Sequence, residues 1–175
     1  MQDDPDETLM IAYGAGDMAA FEILYARYRG PLYRYFTRQV GEPATANDLY
    51  QGCWEKVIAA RRKYSSKAPF KAWLFRIAHN HLVDHYRAVR PGSELPEDTA
   101  GDDPDPGEGI DAQRLDQRFR AAIAALPQEQ KQALLLRLES GLGLEDIARI
   151  TGVGAETAKS RLRYATAKLK QVMQE

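Results

Sequence analysis

The stretch LEDIARITGVGAETAKSRLRYA, residues 144–165, predicts two short helices joined by a tight turn. Apolar residues recur at helical spacing between Leu144 and Ile150, which predicts that the first segment is an amphipathic helix. Gly152 then predicts the left-handed backbone conformation that ends many helices, because glycine adopts it without steric cost. The second helix is predicted from about residue 155 to residue 172, with apolar residues every three or four positions.

Two helices joined in this way are typical of a helix-turn-helix, a unit that places its second helix in the major groove of DNA. The small Ala148, the glycine four positions later and the apolar Val153 meet the packing needs of such a turn. The alternative interpretation is a helical hairpin with a basic, solvated face. The side chains predicted to face a DNA duplex are Thr157, Lys159, Ser160, Arg161, Arg163 and Tyr164.

Charge is distributed unevenly along the 175 residues, although the formal net charge is only −1. Residues 8–90 contain 13 Lys and Arg against 6 Asp and Glu, and residues 114–175 contain 11 against 7. Residues 91–113 contain 8 acidic residues, four prolines and four glycines, but no Lys or Arg. Because this segment has little apolar surface to bury, we predict that it is a flexible acidic linker.

We therefore expect an all-α protein of two small helical domains, at residues 8–90 and 114–175, joined by that linker. Helical periodicity in the first domain predicts an opening helix over residues 7–15 and a last helix over residues 70–89. A second helix should begin after a cap at Asp17 and be kinked or divided at Pro31. A third should run over residues 46–60, capped by Thr45.

The segment RRKYSSKAPFKAW, residues 61–73, mixes cations with aromatic and hydroxyl side chains. Recognition of single-stranded DNA needs this mixture, because cations neutralise phosphates, aromatic rings stack on bases, and short polar groups reach exposed base edges. For Trp73 itself, a place in the core is the stronger interpretation. The segment and the helix after it therefore indicate a second nucleic-acid surface.

The sequence gives little support to a metal site or to enzyme activity. His81 and His85 have the spacing of zinc ligands on a helix, but no second cluster completes a site, so no metal is expected. No P-loop, nucleophile elbow or carboxylate pair is present, so we expect no enzyme activity, no cofactor and no small-molecule substrate.

Cys53 is the single cysteine and is expected to be buried. The acidic start lacks the features of a signal peptide, so a cytoplasmic location is expected.

Several segments together resemble one protein family. DMAAFEILYARY (17–28), ANDLYQGCWEKV (46–57) and FKAWLFRIAHNHLVDHYR (70–87) resemble region 2 of bacterial sigma-70 factors, and residues 126–162 resemble region 4. The order of these segments, with a linker between the regions, resembles the extracytoplasmic-function (ECF, group IV) sigma factors of RNA polymerase. The resemblance covers residues 9–90 and 114–172.

The resemblance implies promoter-specific transcription initiation. Asp48, Gln51 and Glu55 would bind a coiled coil in the largest subunit of core RNA polymerase. The loop 62–69 and the exposed side of helix 70–89 would bind the non-template strand of the −10 element, and helix 155–172 would read the −35 element of promoter DNA as duplex. An anti-sigma factor that covers both domains is also implied. The candidate −10 contacts are Lys63, Ser65, Lys67, Lys71, Arg76, His79 and Asn80.

Four residues depart from the family pattern. Gly52 stands where glutamate is usual, and a glycine inside a helix costs about 1 kcal/mol relative to alanine. His79 stands where arginine is common. Tyr164 and Thr166 stand where recognition helices often carry arginines, which predicts weaker attraction for phosphates.

Two other classes of protein fit parts of the pattern. A two-domain transcription regulator would bind duplex DNA through its C-terminal unit alone, without polymerase, and would use the first domain as a sensor. Such a sensor has no need for the basic and aromatic loop. A helical adaptor would bind another protein rather than DNA, and retention on heparin or DNA columns until high salt would speak against it.

Overall fold

The computed structural model describes residues 1–89 and 110–174, in which all regular secondary structure is helical. Within these described residues, each domain contains four helices. This arrangement confirms the predicted all-α fold of two helical domains. The helices are α1 (Asp6–Gly14), α2 (Met18–Val40), α3 (Pro43–Ala59), α4 (Phe70–Val89), α5 (Ile110–Ala124), α6 (Gln128–Ser140), α7 (Leu144–Thr151) and α8 (Ala155–Gln174).

The long helix α2 forms the centre of the first domain. Asp17 caps it as predicted, because its carboxylate accepts hydrogen bonds from the backbone N–H groups of Ala19 and Ala20. Of the kink or division predicted at Pro31, division does not occur, because α2 continues through the proline. Leu24 on one side of the proline and Leu32 on the other are both buried in the core. Burial of this face of α2 holds the two halves of the helix together, although Pro31 has no backbone N–H and cannot donate the usual helical hydrogen bond.

Helix α3 begins three residues earlier than the sequence pattern predicts. Its cap is Glu42 rather than Thr45, and Pro43 occupies the first helical position, which proline favours. The Glu42 carboxylate accepts hydrogen bonds from the Thr45 side chain and from the backbone N–H groups of Thr45 and Ala44. These bonds, led by the Thr45 hydroxyl, lower the pKa of Glu42. Thr45 is therefore a donor to the cap and not the cap itself.

Gly52, on α3, makes room for His81, on α4. A Cβ atom at Gly52 would lie 2.6 Å from Nε2 of His81, which is closer than packed atoms approach. On its other side, the His81 ring packs edge-on against Phe36, with the ring centres 6.4 Å apart. The glycine that departs from the family pattern thus has a packing reason in this chain.

A Gly52→Ala replacement should therefore be energetically coupled to His81. In the His81→Ala background, the alanine has space and should stabilise the fold by about 1 kcal/mol through helix propensity. In the wild-type background, the new methyl group must displace the imidazole, so the gain should be smaller or reversed. Urea denaturation of the wild type, both single variants and the double variant measures this coupling. Strictly additive effects would show that the two side chains do not compete for space.

The second domain begins inside the segment predicted as linker. Helix α5 starts at Ile110, and Asp111 lies in its first turn, where a negative charge is favourable. Helix α5 therefore begins within residues 91–113, for which the sequence predicts an acidic linker, and residues 91–109 lie outside the described residues. Helices α5, α6 and α7 pack against α8.

The two domains share one continuous apolar core. Ile123, Leu135 and Ile147 of the second domain belong to the same buried cluster as Leu32 and Leu74 of the first. Helix α6 packs on α2, and α7 packs on α4. A domain of about 60 residues buries little surface alone, so this shared core stabilises the second domain.

Candidate nucleic-acid interface

Helices α7 and α8 have the geometry of a helix-turn-helix. Gly152 ends α7 with φ 71° and ψ 31°, the left-handed conformation that the sequence predicts. The N–H of Val153 donates to the Ala148 carbonyl at 3.0 Å and closes the turn. Ala158 and Ala165 on α8 are fully buried, so their small side chains let α8 approach its neighbours closely.

The outer face of α8 presents most of the predicted duplex-binding side chains. Thr157, Lys159, Arg163 and Tyr164 are exposed, and Ser160 is half-buried. The Arg163 guanidinium lies 5.3 Å from the centre of the Tyr164 ring, a cation–π distance. This face therefore combines hydroxyl groups, cations and an aromatic ring on one rigid helix.

Arg161 lies at the edge of that face rather than at its centre. Its side chain is only 19% exposed, and its Nη2 atom lies 3.4 Å from Oε2 of Glu129 on α6. The sequence could have indicated this, since Arg161 follows the buried Ala158 by three residues and precedes the buried Ala165 by four. Arg161 must leave Glu129 to reach a base or a phosphate.

The basic loop between α3 and α4 is held in shape by Tyr64. Its hydroxyl donates to the Ala68 carbonyl at 2.9 Å, and its ring packs edge-on against Trp73 and Phe70. Burial raises the pKa of the Tyr64 hydroxyl to about 12, so this group remains a hydrogen-bond donor at neutral pH. The sequence pattern marks Tyr64 only as one of several aromatic residues, whereas its contacts in the fold show that it organises the loop.

The candidate side chains of this loop and of α4 are exposed or half-buried, with one exception. Lys63, Ser65 and Lys67 are exposed on the loop. On α4, Arg76 and Asn80 are exposed and Lys71 is half-buried. Trp73 is half-buried beneath the loop and packs against the core, as predicted.

His79 is the exception, because it is not exposed in this structure, and its role as a DNA contact stays a prediction. Its side chain is buried, and Nδ1 lies 3.4 Å from the Tyr35 hydroxyl. Burial lowers the pKa of His79 to about 4, so the ring is neutral at neutral pH and adds no positive charge. The sequence spacing indicates this burial, because position 79 lies four residues after Phe75 and three before Leu82, both buried.

A third surface lies on the outer side of α3. Asp48, Gln51 and Glu55 are exposed there, one helical turn apart. The opposite side of the helix buries Leu49, Cys53 and Val57. Burial raises the pKa of the Cys53 thiol to about 12, so this cysteine is unreactive, as a core residue is expected to be.

The described residues contain no group of three or more His, Cys, Asp or Glu side chains placed to hold a metal ion. Within the same residues, no helix combines the length and the apolar character that a membrane crossing requires. Of the histidines considered as ligands, His81 instead packs on α3, and burial lowers its pKa.

Comparison with known proteins identifies both domains. Residues 24–91 match the family model for Sigma-70 region 2, and residues 116–169 match the model for Sigma-70, region 4. The chain is 31% identical over 173 residues to the ECF RNA polymerase sigma factor SigF of Caulobacter vibrioides, covering 95% of this chain and 93% of SigF. It is 32% identical over 133 residues to the ECF RNA polymerase sigma factor EcfG of Rhodopseudomonas palustris, covering 76% of this chain and 74% of EcfG.

Solved structures share the fold. The sigma factor RpoE of Bartonella quintana, solved in complex with the anti-sigma factor NepR, is 25% identical with a TM-score of 0.70, covering 88% of this chain and 96% of that one. CnrH of Cupriavidus metallidurans, solved with the cytosolic domain of CnrY, is 23% identical with a TM-score of 0.72, covering 98% of both chains. The chain therefore belongs to the extracytoplasmic-function sigma factors of the sigma-70 family, which direct promoter-specific transcription initiation by RNA polymerase.

Proposed function

We propose that three surfaces of this sigma factor each bind a different partner. The outer side of α3 binds the coiled coil of the largest polymerase subunit through Asp48, Gln51 and Glu55. The first domain, residues 8–90, recognises and melts the −10 element, and the second, residues 114–175, reads the −35 element. The observation that carries this proposal is that exposed cations lie both on a shaped loop and on a helix-turn-helix, two surfaces of different form.

The loop and α4 suit a single DNA strand. Tyr64 fixes the loop from within and leaves Lys63, Ser65 and Lys67 on its surface. Cations at this spacing can follow phosphates, while the hydroxyl and the Asn80 amide can reach the edges of unstacked bases. We assign the −10 strand to this surface, with Lys71 and Arg76 completing the phosphate contacts. His79 supports the surface from within by packing against Tyr35.

Helix α8 suits duplex DNA. A helix of a helix-turn-helix fills the major groove, and residues near its N-terminus reach the base edges. Thr157, Ser160 and Tyr164 lie on the face that would enter the groove, and Lys159 and Arg163 lie beside it, where they can bind phosphates. Arg161 can join the face after it separates from Glu129.

We also propose an anti-sigma partner, since the solved complex of RpoE with NepR contains a related sigma factor. The protein would act in the cytoplasm, where RNA polymerase works, and would have no catalytic activity of its own. Its macromolecular partners are core polymerase, promoter DNA and the anti-sigma factor.

The direct test is transcription in vitro with purified core polymerase and a promoter library. We expect core enzyme with this protein to select one class of promoters, recognised at both −10 and −35. Core enzyme alone should give no specific start sites. Duplex binding by the isolated protein together with no effect on polymerase would instead support the two-domain regulator.

Arg161→Ala tests the assignment of α8. We expect holoenzyme to lose roughly 1–3 kcal/mol of promoter affinity if Arg161 makes a bidentate contact to a base, and this loss should disappear when that base is changed. A loss that is similar for all sequences, with a salt slope smaller by about one, would assign Arg161 to a phosphate. The measurement is the dissociation constant on duplex promoter fragments at several salt concentrations.

The matched control for Arg161 is Lys168→Ala, which removes an exposed cation further along the same helix. Its effect should be smaller and independent of sequence. If Arg161→Ala changes neither the affinity nor the salt slope, Arg161 does not contact DNA and serves only its ion pair with Glu129.

A further inference from the structure

Gly52 leaves a gap in the face of α3 that carries the proposed polymerase contacts. It lies four residues after Asp48 and three before Glu55, so the three positions fall within about 60° of one another around the helix axis. A side chain at position 52 would begin beside these two carboxylates, but glycine supplies none. The gap at Gly52 is therefore open to a side chain from a neighbouring helix.

His81 of α4 fills this gap with the polar edge of its ring. Its Nε2 and Cε1 atoms lie 2.6 Å and 3.0 Å from the place of a Cβ atom at Gly52, where a side chain would begin. The ring also packs edge-on against Phe36 of α2, which limits its rotation. Lys56 of α3 and Asp84 of α4 form an ion pair of 3.8 Å between the same two helices. His81 is thus held in one place beside the proposed polymerase surface.

The imidazole keeps its ability to bind a partner in this position. His81 is only half-buried, so a molecule that docks on α3 can reach it. Burial lowers the pKa of the ring, and the charge of Lys56 lowers it further against the opposing charges of Asp84 and Glu55, so the ring is neutral at neutral pH. A neutral imidazole offers one N–H donor and one nitrogen acceptor. Packing alone requires neither group, since an apolar side chain could fill the same gap.

We propose that His81 is a polymerase-binding residue, which adds a hydrogen bond from the gap at Gly52 to the contacts made by α3. This role rests on the proposed function of α3 as the surface for the largest subunit of core polymerase. Because the packing of the ring is complete before binding, the contact costs little additional ordering of the side chain. A surface of two carboxylates and one amide thereby gains a neutral group that can donate or accept.

The dissociation constant for purified core polymerase tests this contact, measured with the full-length chain in competition with labelled wild-type protein. His81→Ala should weaken binding about two- to tenfold, the range expected for the loss of one hydrogen bond. His81→Gln should restore most of the affinity, since the glutamine amide can reach the same place with both a donor and an acceptor. The matched control His85→Ala removes a histidine one turn further along α4 and should bind as the wild type does.

A binding cycle with Gly52→Ala separates a contact from a structural role. The new methyl group displaces the imidazole, so Gly52→Ala alone should weaken binding about as much as His81→Ala does. In the His81→Ala background it should cause no further loss, because the imidazole is already absent. Urea midpoints of the same variants report their stability independently of binding.

Failure of the His81 contact can be told apart from failure of the α3 assignment. If Asp48→Ala/Gln51→Ala weakens binding but His81→Ala does not, α3 binds polymerase and His81 only packs. His81→Gln that binds as poorly as His81→Ala would also overturn the contact, and so would equal losses from Gly52→Ala in both backgrounds. If none of these variants weakens binding, the polymerase surface does not lie on α3, and the role of His81 falls with it.

Discussion

Holoenzyme carrying Lys63→Ala, Lys67→Ala and Lys71→Ala is expected to bind the −35 element but to lose promoter melting. Thymines around −10 should lose at least nine-tenths of their permanganate reactivity, while −35 protection persists. Each cation that binds a single strand contributes about 0.7 to the slope of log affinity against log salt, so the slope should fall by about two. Stacking on a few bases only balances the cost of unpairing them, so the loss of three phosphate contacts should close the bubble.

A charge-matched variant separates this effect from a general loss of positive charge. Arg29→Ala/Arg114→Ala/Lys170→Ala removes three exposed cations outside the loop and should keep the bubble. Tyr64→Phe adds a second control, since it removes the hydrogen bond to the Ala68 carbonyl but no charge. It should reduce melting less than the lysine replacements do. A normal bubble in the lysine variant would show that another surface holds the strand.

Local signals predicted much of this fold. Helix α4 begins at Phe70 and ends at Val89, as its periodicity predicts, and Gly152 adopts the left-handed conformation expected of it. Asp17 caps α2 as predicted. Each of these features depends on residues within a turn or two of one another, so the information lies in the adjacent sequence.

The features that were missed depend on distant residues. The continuity of α2 through Pro31 depends on packing against the rest of the first domain, which no local rule contains. The ion pair between Arg38 and Glu139 joins positions 101 residues apart, so neither side chain carries a local sign of its partner. The space that Gly52 leaves for His81 is likewise created by two helices meeting.

Two candidate site residues are less exposed than the others, and their spacing in the sequence indicates why. His79 and Arg161 are polar, and a polar residue in a basic segment is usually interpreted as exposed to solvent. Both nevertheless lie three or four positions from buried residues on the same helix, which places them beside the apolar stripe. The orientation of a side chain around its helix is therefore a better guide to its exposure than its chemical type alone.

The second large effect is expected on polymerase binding. Asp48→Ala/Gln51→Ala should reduce the amount of core polymerase that co-purifies with the protein at least tenfold. Removing one partner from a hydrogen-bonded charge pair at an interface costs roughly 2–5 kcal/mol, because the other partner is left buried without compensation. The fold should survive, since both side chains are exposed and the buried side of α3 is unchanged.

A matched control and a second measurement test whether α3 itself binds core polymerase. Glu22→Ala/Gln117→Ala removes an exposed carboxylate and an exposed amide elsewhere and should keep wild-type co-purification. The urea midpoint of the α3 variant should match that of the wild type, which separates lost binding from lost stability. Recovery of core polymerase at the wild-type level with the Asp48→Ala/Gln51→Ala variant would show that the polymerase-binding surface does not lie on α3.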